Sequence, residues 1–381
     1  MKKQFCAILI LLSILCGCAA TTGSNYEQEM QPPPNVTQSA VEPPQNEQAP
    51  SHQKDSETDA ISGLLEVYFI DAGQADAALL LCDGAAMLID GGNVADSSRV
   101  VSFLGKLGIT HLDYVIGTHA HEDHIGGLAG ALSVCSAGTV YIPKTGSDTK
   151  AYQNFIVKAE QAADSIEVPA PGTEVSLGAA KVVFLGPIVE DADNLNSTSI
   201  SCKVTFGNTS FLFTGDAESD AERRMVDAEE DLSATVLKAP HHGSDTSSSY
   251  VFLREVMPQY VVISVGTDNS YGHPDANAMS RFRDAGAEVY RTDIQGDICC
   301  TSDGNSVQFS VEKNQNAITN PTTVDGSGQN TVDIAFIGNI NSKKFHLPTC
   351  GNLPAEKNRI FFDSRQEAVN AGYSPCGNCK P

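Results

Sequence analysis

Apolar residues fall into short runs broken by turn residues, and these runs alternate with segments of mixed polarity. Leu64 to Ile70, Ala77 to Leu81 and Ala86 to Ile89 have strand length, and Asp83-Gly84 joins the second to the third. A helical pattern from Ser98 to Leu107 leads to another apolar run, Leu112 to Gly117. Residues 125–165 read as helix, strand (Thr139 to Ile142) and helix. Residues 173–213 read as paired strands, among them Lys181 to Leu185, Ser199 to Phe206 and Ser210 to Phe213. Helix Ala217 to Val226, strand Ala234 to Lys238, helix Ser248 to Val256, strand Tyr260 to Val265 and helix Asn277 to Asp284 follow. Val289 to Arg291, Asp297 to Thr301 and Ser306 to Val311 close the pattern as strands. The sum is an α/β fold, two sheets with helices outside, a four-layer αββα sandwich over residues 61–312.

The flanks have a different composition. In residues 1–18, Lys2 and Lys3 precede an apolar segment, Phe5 to Leu15, that is too short to span a bilayer and reads as an export signal. Leu15-Cys16-Gly17-Cys18 looks like a bacterial lipobox, so the mature chain is expected to carry a lipid on Cys18 and to sit on the extracellular face of the membrane. Simple secretion with cleavage after Ala19 or Ala20 is the alternative. Residues 19–60, rich in Gln, Pro, Ser, Asn and Glu, form a tether without a core. Residues 313–332 form a second linker, and residues 333–381 a small terminal unit. The formal charge of −23 excludes nucleic-acid binding through bulk electrostatics and confines any phosphate recognition to cations or a local basic patch. The terminal unit is basic by count, with Lys343, Lys344, Lys357, Arg359, Arg365 and Lys380 against Asp333, Glu356, Asp363 and Glu367.

The chemistry is concentrated in Thr118-His119-Ala120-His121-Glu122-Asp123-His124-Ile125-Gly126-Gly127, at the end of a buried strand. His119 and His121 can grip one ion there, and Asp123 with His124 a second. Neutral imidazole and carboxylate suit zinc, manganese or iron, and so many titratable groups are costly to bury without a cation. The terminal unit carries His346, Cys350, Cys376 and Cys379 at metal-knuckle spacing, and a unit so short needs a staple such as structural zinc. A disulfide between Cys376 and Cys379 is the rival. Cys82, Cys135, Cys202, Cys299 and Cys300 read as core residues.

His-x-His-x-Asp-His after a strand resembles the central motif of the metallo-β-lactamase fold. Phe69-Ile70-Asp71-Ala72-Gly73-Gln74-Ala75-Asp76, His241-His242-Gly243-Ser244 and Tyr271-Gly272-His273-Pro274 resemble, in the same order, stretches of the extracellular domain of ComEC-type competence proteins. Ala72 and Ala75 depart from that family's valine and glycine. The terminal unit resembles the zinc-binding module at the start of the Ada DNA-repair protein, with His346 in the place of a cysteine. The resemblance implies a dinuclear metal hydrolase with zinc or manganese as the pair. Asp90, before Gly91-Gly92, would hold the metal-site loop by hydrogen bonds, and Asp71 and Asp76 are assigned to the same supporting role. Asp216, after Thr214-Gly215, matches the metal-bridging carboxylate. Asn194 to Ser199 lacks the third histidine of many relatives, which leaves His119, His121 and Asp216 to hold the first ion.

The implied reaction is metal-assisted hydrolysis of a phosphorus ester, with Asp123 as ligand and orienting group. His242 is favoured as ligand of the second ion with His124, and His241 as the residue facing substrate, although the sequence does not rank the two. His273 is a candidate to bind phosphate or protonate the leaving oxygen, and Ser244 to donate a hydrogen bond to it. The reading is a phosphodiesterase or nuclease acting on extracellular DNA. One alternative is hydrolysis of a smaller ester such as a phosphocholine ester, or of a β-lactam. Another is a surface binding protein without catalysis. No protein partner is implied.

Overall fold

The computed structural model describes residues 63–189, 193–320, 336–347, 350–362, 365–379 and 381. The export signal (1–18), Cys18, the tether (19–60) and 321–335, which hold most of the second linker, lie outside the described residues. Asp333, Pro348, Thr349, Asp363 and Lys380 lie outside them too.

The first sheet contains β1 (Leu65–Phe69), β2 (Ala78–Cys82), β3 (Ala85–Ile89), β4 (His111–Ile116), β5 (Ser136–Tyr141) and β6 (Ala163–Glu167). Between them run α1 (Ser97–Lys106), α2 (Glu122–Ile125), α3 (Leu128–Val134) and α4 (Lys150–Ala162). The second contains β7 (Glu174–Leu177), β8 (Ala180–Phe184), β9 (Cys202–Phe206), β10 (Thr209–Phe213), β11 (Val236–Lys238), β12 (Tyr260–Ile263) and β13 (Glu288–Arg291). Its helices are α5 (Ser219–Asp227), α6 (Tyr250–Val256), α7 (Ala276–Asp284) and α8 (Thr292–Gln295). The chain then returns to the first sheet with β14 (Ile298–Ser302) and β15 (Val307–Val311), giving the order β15-β14-β1-β2-β3-β4-β5-β6. The second sheet has the order β13-β12-β11-β10-β9-β8-β7.

Alternation along the strands explains the layers. One face of β1 (Leu65, Val67, Phe69) joins Phe184, Phe206 and Phe211 of the other sheet in a core between the sheets. Outside the first sheet, Val100, Leu104, Leu128 and Phe155 pack the helices down. Outside the second, Met225, Phe252 and Phe282 do the same. Each such side chain contributes roughly 1.5–3 kcal/mol by leaving water. The arrangement is the expected αββα sandwich.

β3 through β6 run parallel, as do β10 through β13. Loops at the carboxyl ends of β4, β10 and β11 carry His119 to His124, Asp216 and His241-His242. Among the element ends that differ from the sequence pattern, three have a cause in the surrounding contacts. The run ending a helix at 165 instead leaves the helix at Ala162, because Ala163–Glu167 pairs parallel with β5 and Ser165 Oγ bonds Thr139 Oγ1. The strand expected from Ser199 begins at Cys202, since Ser199 is spent on the site described below. The strand expected to reach Val265 stops at Ile263, which frees the Ser264 carbonyl.

The terminal unit has a sheet of its own, β16 (Phe336–Asn339), β17 (Lys344–His346), β18 (Arg359–Phe362) and β19 (Ser374–Pro375), with α9 (Arg365–Asn370). Phe336, Phe345, Phe362, Ala368 and Tyr373 form its core, and Tyr250 of α6 packs against it. Cys82, Cys135, Cys202 and Cys300 are buried free thiols, and Cys299 is a half-buried one, in accord with a core role.

Candidate metal centre

The site begins with close backbone approaches. A Cβ built on Gly127 would fall 1.9 Å from the Gly91 carbonyl oxygen, and one on Gly91 would fall 2.7 Å from the Leu128 nitrogen. Side chains at either position would therefore force apart the turns after β3 and after the histidine loop. Gly91 N–H donates to the His124 carbonyl at 2.7 Å, and Gly127 N–H to that of Gly92 at 2.8 Å. Asp90 sits between these turns with φ 58°. Its carboxylate accepts from Thr118 N–H and Oγ1, both at 2.8 Å, and meets His124 Nδ1 at 2.8 Å. Asp90 therefore ties the end of β4 and the histidine loop to the turn after β3.

That contact fixes the His124 tautomer. With its proton on Nδ1 toward Asp90, the Nε2 lone pair faces Asp216 Oδ1, 3.1 Å away. His242 is set the same way: Nδ1 lies 2.9 Å from the Ser264 carbonyl and 3.3 Å from Asp76 Oδ1, and Nε2 lies 3.4 Å from Asp123 Oδ2. His119 Nδ1 turns to Thr118 and Ser199, leaving Nε2 3.0 Å from His121 Nδ1 and 3.9 Å from Asp216 Oδ2. Ser199 also accepts from the Asp216 N–H at 3.0 Å.

His124 Nε2, His242 Nε2 and Asp216 Oδ1 are buried and have no hydrogen-bond partner. Orphaned acceptors that converge in this way are costly unless something positive joins them. The donor atoms of His119, His124 and Asp216 lie within 4.8 Å of one another, as do those of Asp123, His124 and His242. These overlapping nitrogen and oxygen sets have the donor chemistry that fits divalent cations.

Charge at the site points the same way. Burial would raise the Asp216 carboxyl, but His124 and His242 hold it well below the usual range. Asp123 is also lowered, against burial, by His242 and His124. Burial would lower His124 and His242, yet Asp216 and Asp90 hold the first well above its ordinary value. Asp76 and Asp216 push the second up to about 10. These carboxylates demand positive charge at the imidazoles' inner edge, whether as protons or as metal. His119 differs, for burial and His124 hold its pKa well below the ordinary value.

The structure brings together His119, His121, Asp123, His124, Asp216 and both paired histidines. His242 is buried against Asp123 and Asp76, whereas the more exposed His241 lines a cleft of about 370 Å³ with Tyr271 and His273. His241 Nε2 also lies 3.7 Å from Asp216 Oδ2, on the side where Asn194 to Ser199 offers no imidazole. His241 and His242 both adopt left-handed backbone, φ 50° and 52°. Such residues cost roughly 1–3 kcal/mol each and cluster at functional sites. His273 Nδ1 is buried without a partner, and burial with His241 and His242 nearby lowers its pKa, so the ring is neutral at neutral pH.

Two assigned residues point elsewhere. Asp71 turns to the Gly73 N–H and lies 3.8 Å from Lys313, on the side of Asp297 and Arg99, away from the histidines. The Ser244 hydroxyl is taken up by Thr246, at 3.1 Å from its Oγ1, instead of facing the cleft. Lys238 was missed. Its ammonium lies buried 2.8 Å from Asp76 and fixes the carboxylate behind His242. A lysine ending an otherwise apolar strand was the available signal.

In the terminal unit the ligand atoms of His346, Cys350, Cys376 and Cys379 lie within 4.8 Å of one another, with His346 Nδ1 3.4 Å from Cys350 Sγ. Cys376 and Cys379 are free thiols in this arrangement, not a disulfide. Burial would raise Cys376, but the N–H groups of Cys379 and Asn378 hold it low. Burial instead pushes Cys379 up to about 12. The set is nearly closed and rich in sulfur, which suits structural zinc.

Residues 70–266 match the sequence profile of the Metallo-beta-lactamase superfamily, and residues 328–381 that of the metal binding domain of Ada. The chain is 28% identical over 251 residues to ComE operon protein 3 of Bacillus subtilis (strain 168), covering 61% of this chain and 32% of that protein. It is 31% identical over 230 residues to Competence protein ComA of Neisseria gonorrhoeae, covering 59% and 30%. It thus spans about a third of the length of these curated relatives. Among solved structures it resembles the metallo-beta-lactamase fold protein YhfI from Bacillus subtilis, at 15% identity and a TM-score of 0.43, over 63% of this chain and 100% of that one.

Proposed function

Because the chain belongs to the metallo-beta-lactamase superfamily, we propose that it is a hydrolase that uses two divalent cations, zinc or manganese, to cleave the phosphodiester bonds of DNA. The observation that carries this reading is the convergence of unpartnered His124 Nε2, His242 Nε2 and Asp216 Oδ1 at the floor of an open cleft. In it His119, His121 and Asp216 hold one cation and Asp123, His124, His242 and Asp216 the other. When bound, such a pair neutralises phosphoryl oxygens and acidifies water.

The protein's own groups do the rest. Asp123, 31% exposed at its side chain, is both ligand and acceptor facing the cleft. His241 and His273, with ring centroids 5.7 Å apart, line the cleft with it and are the imidazoles placed to meet a phosphoryl group there. Tyr271 lies stacked on His273 and 71% exposed at the mouth, where a base can lie on its ring. Water adds to phosphorus and gives up a proton, the P–O bond to one sugar breaks, and the departing oxygen takes up a proton in its turn, so that none is gained or lost overall. Zinc in the terminal unit is structural in this reading. A lipid on Cys18 would keep the enzyme at the outer face of the membrane; among the described residues no helix is long and apolar enough to cross one.

A relative named as a competence protein favours DNA over a small ester. The test is metal-dependent hydrolysis of single-stranded DNA and of a phosphocholine ester by the wild type and Asp123→Ala. DNA cleavage lost in the variant supports the proposal. Turnover of the small ester alone would replace it with the alternative, and turnover of neither would leave a binding protein.

A further inference from the structure

Although the chain carries a formal charge of −23, three guanidinium groups converge where the terminal sheet meets the hydrolase fold. Arg254 of α6, Arg281 of α7 and Arg365 of α9 line one cavity of about 280 Å³ together with Tyr250, Met257 and Asp284. The junction is ordered by aromatic contacts. Tyr250 and Phe336 have ring centroids 5.9 Å apart, and the Arg365 guanidinium lies 5.2 Å from the Tyr250 ring and 5.8 Å from that of Phe345.

The local charges are only partly compensated. Asp284 lines the cavity, but it accepts the Tyr250 hydroxyl at 2.5 Å. Arg254 meets Glu255 at 2.8 Å on the exposed side. Arg281 holds Asp245 at 2.9 Å, and its Nε is buried with no partner. Arg365 is half-buried beside Arg254. Met257, in left-handed backbone at φ 48° and 68% exposed, offers an apolar wall.

The cavity is tied to the cleft. Asp275, which caps α7 directly after His273-Pro274, donates its N–H to the Gly243 carbonyl at 2.8 Å. From the same helix Arg281 binds the carbonyls of Asp245 and Ser247, at the end of the loop that holds His241 and His242. The helix spans roughly 13 Å at 1.5 Å per residue, a reach that a few nucleotides cover.

We propose that this cavity binds one nucleotide of a single DNA strand, with its phosphate among Arg254, Arg281 and Arg365 and its base against Tyr250 and Met257. The terminal unit then serves the hydrolase by completing a strand-holding site. Three guanidiniums around an apolar wall suit a phosphate with a base attached better than free phosphate. The proposal rests on the reading of DNA as substrate.

The test is binding of a short fluorescein-labelled oligothymidylate to the metal-loaded full chain, followed by anisotropy over a range of salt. Arg254→Ala, at an exposed position whose ion partner is its neighbour Glu255, is the variant safest for folding. Arg365→Ala is the stronger one, with Arg365→Lys as its charge-preserving control and zinc content as the check that the terminal unit is intact. Each alanine is expected to weaken binding about tenfold and to reduce the log–log salt slope by about 0.7, the value for one phosphate contact on a single strand. Turnover of bis(p-nitrophenyl) phosphate stays unchanged in both. Equal affinity and slope in wild type and both alanine variants would overturn the proposal, as would a wild type that binds no oligonucleotide. So would displacement by inorganic phosphate as effective as that by thymidine monophosphate. A wild type that binds through the cavity but does not cut removes the assigned substrate and leaves the cavity standing.

Discussion

The cleft and the terminal unit each gather side chains able to ligate metal, but they are built for opposite ends. In the cleft the donors are nitrogen and oxygen, Asp123 and His241 stay partly open, and an outer ring of Asp76, Asp90, Lys238 and the Ser264 carbonyl fixes His124 and His242. In the terminal unit three thiols and one imidazole close on themselves, and a core of five residues, Phe336 to Tyr373, has little else to hold it. Three large apolar clusters surround the cleft, so metal there is expected to serve chemistry, whereas the small core of the terminal unit makes its metal the expected staple of the fold. The same element type can do either job, depending on which ligands are left open and how much core surrounds them.

The largest expected effect separates the two directly. Cys376→Ser should cost the terminal unit its zinc, a loss on the order of 10 kcal/mol in a unit so small. Limited proteolysis should then digest residues 336–381 while 63–320 remain protected. Next is Asp216→Ala, which removes the carboxylate shared by both cation sets. It should lower kcat on single-stranded DNA on the order of 10³-fold, the scale of losing one preorganised electrostatic group, with the thermal transition of the terminal unit unmoved. Asp76→Asn should be milder in catalysis. It loosens His242, and metal affinity of the cleft should fall by about 10–100-fold in a competition titration. The same change strips a buried lysine of its partner, so the sandwich should also melt lower.

The effect that bears least on the comparison concerns pH and lies outside both centres. Burial raises Glu222 from 4.5 to about 7, while it accepts the N–H groups of Ser248 and Ser249 ahead of α6. Its pKa is raised in the fold, so its contribution to stability is fully present below 4.5 and is lost as pH rises through about 7. Melting of wild type and Glu222→Gln across that window should show a shallower decline in the variant. Parallel curves would mean that Glu222 does not titrate in the fold.

Legibility in the sequence followed the same division. His119, His121, Asp123 and His124 are close along the chain, so their convergence could be read from spacing. Asp90 and Asp216 were legible through the resemblance, which gives meaning to the Asp-Gly-Gly turn after β3 and the Thr-Gly-Asp turn after β10. What escaped were contacts made across the sandwich. Lys238 reaches Asp76 from the other sheet, and the Ser264 carbonyl meets His242 only because β12 stops short. Asp71 and Ser244 were assigned from motifs that are real, but side-chain direction within a loop is set by neighbours such as Lys313 and Thr246. His241 and His242 could not be ranked until the left-handed backbone buried one and turned the other toward the cleft. The four ligands of the terminal unit were legible from spacing alone, whereas its junction with α6 through Tyr250 and Arg365 was not.

The central claim is that the cleft holds a pair of cations, and elemental analysis of the purified full chain against Asp216→Ala tests it most directly. The wild type should carry the cleft pair and the zinc of the terminal unit, and the variant should keep the zinc and lose the pair. A wild type that carries only the zinc after purification from metal-rich buffer, or a variant with undiminished metal, would contradict the account.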